Sequence, residues 1–536
     1  MKPFLFSRTL LLLIALAIVP QLPARSREAQ WDKVEAAQQK GLPKTAIDEL
    51  KPIIAAAIAD KAYPEAIKAI GEKIALEGQI EGGKPEEQIV RLQAELDKAP
   101  AAMRPLMEAI LAHLYWAYFQ QHRWQFLQRT QLAAESGADL QTWDLARILT
   151  EIDRHFTAAL ADKKKLQTTP IGDYDELLPE GTVPDQYRPT LYDFLAYEAL
   201  KFYQAGEHAA RKAEDNFEVD ASSPIFGGVA EFETWQPVTT DHTSPILKAI
   251  SLYQDLLQFH HADKDRSAYY DADLARLTYG HNIAVGETKD DRYQAALKKF
   301  VDLTTKHEIS ARALAALASL INQKGDATKA HELAERGLAA FPKSAGGAMC
   351  FNLIQQIEAK SAQLETESVW NAPWPTLNVT YRNVTKVYFR AVPIDFIDYV
   401  DRARWGLGRL DEDQREELLA ARPALEWNAA LPRTADYKQR TEELRAPTTL
   451  KPGFYFIVAS HNATFSDEEN QVSFAAIWVS DLALVTRSQT YGGSNGGFVL
   501  KANSGSPVAG ATVRLWQRNN QGRLIAGKST KTDDNG

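Results

Sequence analysis

Apolar positions return at two different periods along this chain, and the change between them divides the sequence. From about residue 31 to 363 the period is three to four, as in AIDELKPIIAAAIADKAYPEAIKAIGEKIALE (46–77) and LMEAILAHLYWAYFQQ (106–121). That spacing lays one apolar stripe along each of a series of helices. Pro, Gly and polar turns cut the series into helical lengths. Past Trp370 the period drops to two: in TLNVTYR, Leu377, Val379 and Tyr381 alternate with polar neighbours, as on a half-buried strand. The chain reads as helical first and antiparallel β afterwards.

Within the helical part, ARALAALASLINQKGDATKAHELAERGLAAFPKS (311–344) is the clearest unit. Leu314, Leu317, Ala318, Ala330 and Pro342 stand at the spacing of a tetratricopeptide-like helical hairpin. Small residues let two helices approach, Gly325-Asp326 reverses the chain, and Pro342 ends the second helix. The region is expected to be a solenoid of degenerate helical hairpins. Two Pro/Gly-rich stretches, 168–189 and 216–245, lack any helical period. They are expected to lie over the helices as packed connectors, with a ligand groove as the alternative.

In the β part, Val387, Phe389 and Ala391 follow a turn at 382–385, which predicts an antiparallel hairpin with 377–381. GFYFIVAS and VSFAAIWVS supply two more strands, and DEDQREELLAA a short helix between strands. In LKPGFYFIV, Pro452-Gly453 makes a turn and Tyr455 is placed to hydrogen-bond back, as in the tyrosine corner of immunoglobulin-like sandwiches. One β-sandwich is expected over 367–480. A second begins at 481 with LALVTRS, GGFVLKA, ATVRLWQ and the turn TDDNG. Three or four strands do not close a two-layer core, so this last sandwich reads as incomplete and the chain as a fragment.

Composition narrows the class. A hydrophobic share of 45% and a charged share of 24% suit a folded globular chain rather than a disordered one. Net charge is −9 and the longest basic run is Lys163-Lys164-Lys165, a solvated helix end, so nucleic acid is not an expected partner. The single cysteine, Cys350, excludes an intramolecular disulfide framework and a thiolate metal cluster. At the N-terminus Lys2 and Arg8 precede an apolar run at 10–19, then Pro20 and Ala24. This order is a secretory signal peptide over 1–24, too short to span a bilayer comfortably. It places the protein outside the cytosol, secreted or in the periplasm and cell envelope. An uncleaved anchor is the alternative.

The run YRPTLYDFLAYEALKFY (187–203), followed by VTKVYFRAV, LKPGFYFIVAS, IWVSDLALVTRS and SGSPVAGATVRLW…TKTDDNG, resembles the N-terminal part of bacterial α2-macroglobulin family proteins. The resemblance is loose over the helices and more specific from Val369 onward. It implies a helical region over 25–366, a macroglobulin-like sandwich over 367–480 and the start of another over 481–536. It also implies a proteinase trap, in which a bait segment is cleaved, macroglobulin domains collapse around the proteinase, and an internal Cys-Gln thioester captures it. Thioester chemistry of that kind needs a glutamine three residues after the cysteine. Cys350 has Leu353 there, so it is read as a buried packing residue, and no bait segment is recognisable.

His260-His261 with Asp263 suggests metal ligands, but adjacent helical side chains point about 100° apart, and surface histidines are the plainer reading. GGSNG (492–496) spells Gly-x-Ser-x-Gly but lies between two strands and not at a strand-to-helix elbow, and no Walker, dinucleotide or His-Glu-x-x-His motif is present, so no catalytic, cofactor-binding, metal or thioester residue is nominated and no enzyme is expected. YGGSNGGF is a loop between strands. Asn378, Asn383 and Asn462 begin Asn-x-Thr sequons. Trp370, Trp374, Trp405 and Trp427 are expected at the junction of helices and sheets, with a carbohydrate or peptide platform as the alternative.

The sequence thus points to the N-terminal scaffold of a secreted α2-macroglobulin-like endopeptidase inhibitor. Its partners would be proteinases, through the full-length protein, and an envelope protein on the helical region. The alternative is a secreted adhesion or scaffold protein that binds a peptide or glycan. N-terminal sequencing of protein recovered from envelope or medium is expected to begin near Arg25; an intact Met1 on cytosolic protein refutes the leader.

Overall fold

The computed structural model describes residues 27–128, 139–178, 181, 183–206, 217–402, 410–466, 470–488 and 495–536. The leader at 1–24 and Trp405 lie outside these residues. Among them, sixteen α-helices precede the first strand and two more lie between strands. None is long and apolar enough to cross a membrane. The chain forms two compact units that divide between Ala313 and Leu314.

In the first unit, helices pack mostly on the next helix in the chain or the next but one. Five of them carry Pro in their first turn: Pro43, Pro64, Pro85, Pro105 and Pro245. At that position the absent N–H is no loss and the fixed φ starts the helix. Both Pro/Gly-rich stretches are tied down, and the second, expected without helix, holds a short one at Val229–Thr234. Ile171 N–H donates to Pro189 O and Leu191 N–H to Thr169 O, each at 2.9 Å. The buried Arg276 gives its guanidinium to Ile225 O (3.0 Å), Gly227 O (3.1 Å) and the Asp273 carboxylate. Charge-assisted bonds of this kind fix a connector's backbone far better than apolar contact alone.

In the second unit, eight strands form two sheets. They are β1 (Ser361–Thr366), β2 (Val369–Trp370), β3 (Thr376–Arg382), β4 (Lys386–Pro393), β5 (Leu425–Ala430), β6 (Arg440–Arg445), β7 (Gly453–Ser460) and β8 (Ser473–Val479). One sheet has the order β1-β3-β6 and the other β2-β8-β7-β4-β5. A single buried cluster lies between them, built from Leu377, Val379 and Tyr381 of β3, Val387, Phe389 and Ala391 of β4, and Ile457 and Ile477. Tyr455 O–H donates to Lys451 O at 2.9 Å, the local bond that the Pro452-Gly453 turn predicts.

Four sequence expectations change here. The turn at 382–385 does not close a hairpin: β3 and β4 belong to different sheets, and their alternating apolar residues face each other across the core. Period-two alternation fixes which face is buried but not which strand is the neighbour. β1 lies inside the stretch assigned to helices. Its Ala362 and Leu364 are buried while Gln363 and Glu365 are exposed, a period too brief to stand out directly after a helix. The tryptophans do not mark a junction either. Trp370 is fully buried, Trp374 meets it edge-on at 6.4 Å, and Trp427 stacks on Phe389 at 5.0 Å, all within the inter-sheet cluster. Finally, a helix at Phe396–Arg402 joins the expected one at Glu412–Ala420. Tyr399 and Leu418 pack with Phe454, Phe456 and Val458 on the outer side of the five-stranded sheet. That cover is why β7 is buried along nearly its whole length.

Beyond these sheets, β9 (Leu482–Ser488) pairs with β10 (Asn495–Lys501), and β11 (Thr512–Arg518) with β12 (Leu524–Lys531). The sequence pattern missed β12, whose residues are nearly all exposed and therefore carry no burial period. Leu524 N–H donates to Asp401 Oδ1 at 2.7 Å, which holds the last strand pair to the helix Phe396–Arg402.

The last helix before the strands, Ala345–Glu358, ends with carbonyls that no intrahelical donor reaches. Residues of the β3–β4 turn satisfy them. Asn383 Nδ2 donates to Ile357 O (2.7 Å) and Ala359 O (3.1 Å), and Arg382 donates to Gln356 O (3.2 Å) and Ala359 O (3.3 Å). Asn383 sits at φ 59°, a region Asn tolerates better than most residues. Beside them His331 bonds Glu358 at 2.7 Å and stacks on Tyr437 at 5.0 Å. Asn383→Ala is expected to cost about 2–3 kcal/mol, lost bonds plus backbone strain, and Asn383→Gly about 1 kcal/mol less. Urea unfolding of the whole chain measures both; wild-type stability in Asn383→Ala refutes the role of this contact.

Candidate functional site

The helix Leu191–Tyr203 carries a row of polar groups, although ten of its thirteen residues are buried. A helix covered on nearly every side drives most of its polar groups against partners within the protein, the Tyr197 hydroxyl being an exception. It begins with a capping box: Thr190 Oγ1 accepts the Asp193 N–H, and Asp193 Oδ2 accepts the Thr190 N–H at 3.0 Å. The other oxygen of Asp193 meets His260 Nε2 at 2.7 Å, and His260 Nδ1 meets Asp263 Oδ2 at 2.6 Å. Both ring nitrogens thus face carboxylates. Burial alone lowers the affinity of His260 for its second proton, but the bonds and charges of Asp193 and Asp263 outweigh it and raise its pKa above the usual histidine value.

The same pairing runs the length of the helix and into the residues before it. Tyr187 O–H donates to Glu308 at 2.7 Å, and Tyr203 O–H to Asp153 at 2.8 Å, where Lys248 Nζ also binds. Glu198 meets His113 at 2.9 Å. Burial opposes ionisation of Glu198, yet His113 and Lys201 pull its pKa down to about 2. Burial, with the neighbouring carboxylates adding to it, pushes the phenols of Tyr187, Tyr192 and Tyr203 well above their usual value. They are hydrogen-bond donors at neutral pH, not nucleophiles. Arg188 lies 3.8 Å from the Tyr197 ring centroid and 3.8 Å from Asp271 Oδ2, while Arg312 binds Asp271 Oδ1 at 2.5 Å. Chemically the arrangement fixes charges in matched pairs and holds the surrounding helices and connectors in register.

The residues weighed from sequence fall differently. His260 is buried, not a surface histidine: its imidazole joins the helix Pro245–His260 to Asp193 of the helix Leu191–Tyr203 and to Asp263 in the turn that follows. With both nitrogens engaged it has no lone pair to offer a metal. His261 is exposed and lies 3.8 Å from Glu233. Cys350 is fully buried in the helix Ala345–Glu358, and burial pushes its thiol up to about 11, so thiolate is scarce at neutral pH. The network itself was missed from sequence. Its visible signal was the density of Tyr, Asp and Glu in a run that is otherwise apolar.

The pH dependence has a definite sign. A histidine whose folded pKa is raised contributes fully below its unfolded value, about 6.5, and loses the contribution as pH rises through the folded value. His155 adds in the same direction: burial opposes its protonation, and Glu108 at 2.6 Å with Glu151 at 3.5 Å prevails. His260→Gln, which leaves buried Asp193 without its cation, is expected to cost about 3–5 kcal/mol near pH 6. The deficit should narrow toward pH 9, as thermal melts of both proteins across that range will show; a pH-independent deficit refutes the charged pairing.

Compared with protein-family models, with curated proteins and with solved structures, the chain matches none of them.

Proposed function

We propose that this chain is the helical and first macroglobulin-like portion of a secreted or periplasmic α2-macroglobulin-like proteinase inhibitor, and that its own share is to bind and position rather than to make bonds. In this reading the helices are tetratricopeptide-like hairpins, and the two sheets over one core are a macroglobulin- or immunoglobulin-like sandwich. The observation that carries it is the Tyr455–Lys451 bond, because it lies in LKPGFYFIVAS, a segment on which the family resemblance rests. Supporting it, Leu314, Leu317, Ala318 and Ala330 are buried on helices that flank Gly325 at φ 89°. Cys350 takes no part in capture, since it is buried and followed three residues on by Leu353. Bait and thioester belong, on this reading, to sequence outside these residues.

The test uses the native protein as its cell makes it, isolated with an antibody to this chain and mixed with trypsin. A caged proteinase is screened from large substrates while small ones still diffuse in. The expected outcome is lost activity on a protein substrate with retained activity on a short peptide. Full activity on both, or equal loss on both, overturns the trap; full activity together with glycan or peptide binding turns the assignment to the adhesion class.

A further inference from the structure

We propose that β11 and β12 present a docking face for an acidic polysaccharide. The first observation is a charge imbalance. Residues 482–532 carry seven Lys or Arg and no Asp or Glu, which leaves −16 on the rest of a chain whose net charge is −9. Such segregation is the electrostatic footprint of an anionic partner. None of the described ion pairs uses Arg514, Lys528 or Lys531, so these charges are not consumed within the protein.

The second observation is geometric. In the antiparallel register Thr512 stands opposite Lys531, and Arg514 opposite Ser529. Cross-strand partners share a face, and alternate residues along a strand share it too. Thr512 and Arg514 therefore line up beside Ser529 and Lys531, while the register shifts between Arg514 and Trp516 and the indole is placed by its approach to the Arg514 guanidinium. Arg514 and Lys531 are exposed, Trp516 is half-buried, and the Arg514 guanidinium lies 6.0 Å from the Trp516 ring centroid. Two cations and two hydroxyls on one face, with a flat indole beside Arg514, match the parts of an acidic sugar: its anionic groups, its hydroxyls, and the apolar side of its pyranose ring. A polyglutamate chain would use the cations but has no ring to set on the indole.

The experiment is affinity electrophoresis of the whole chain through gels holding polygalacturonate, neutral dextran or poly-L-glutamate. Retardation by polygalacturonate, weakened by salt, is expected, with none by dextran and less by polyglutamate. Arg514→Glu with Lys531→Glu should weaken binding about tenfold or more, and Trp516→Ala about fivefold. Arg514→Lys with Lys531→Arg, which keeps the charge, should bind nearly as wild type. Lys298→Glu with Lys299→Glu, an equal charge change on the helix Lys289–Leu303, should not matter. Equal retardation by polyglutamate overturns the sugar assignment, and wild-type binding by the double Glu variant overturns the site.

Discussion

Leaving a charge buried without its partner costs on the order of 3–5 kcal/mol, a large part of what holds any domain together. The run 187–203 places that constraint at the centre of the first unit. Asp193, Glu198 and the tyrosines of the helix Leu191–Tyr203 have few routes to solvent, so other segments must deliver partners to them: His260, His113, Asp255 and Asp153 from helices before and after, and Glu308 for Tyr187. Apolar packing would tolerate a shift of a helix by part of a turn. These pairs would not, because hydrogen bonds weaken steeply with distance and angle. The helix spacing of the unit follows from its polar groups as much as from its leucines.

What the sequence made legible follows from the same physics. Helices with one apolar stripe, and strands such as β7 and β8 with strong β formers, announced themselves by period and composition. So did the Pro452-Gly453 turn and its tyrosine. What stayed hidden was partnership. Nothing in VTYRNVTKVYF tells that Tyr381 and Val387 belong to opposing sheets, because the pattern of burial is the same for a hairpin and for an arch between layers. His260 beside His261 looked like a surface pair, since its partner Asp193 is 67 residues away. β12 left no trace because it buries almost nothing.

The second unit shows how one element changes what its neighbours need. A strand in an antiparallel sheet normally alternates buried with exposed residues, yet β7 is apolar on both sides. The helices Phe396–Arg402 and Glu412–Ala420 supply the missing layer, and the former then offers Asp401 to the strand pair that follows. In the same unit, Asn383 and Arg382 complete the helix that leads into β1. Each contact there is a side chain meeting a backbone group that would otherwise be unsatisfied.

The pairing of β2 with β8 bears on the order in which the protein takes shape. Val369 lies beside Trp478, and Leu364 N–H reaches Ser473 Oγ, 109 residues further on. A ribosome releases the helical segments one after another, and each can pack on the helix made just before it. The two-sheet core cannot close until more than a hundred residues have followed its first strand out of the exit tunnel. Over that interval Trp370 and its neighbours wait uncovered, and nascent chains with such long-range closure are the ones most exposed to mispairing and most in need of a chaperone.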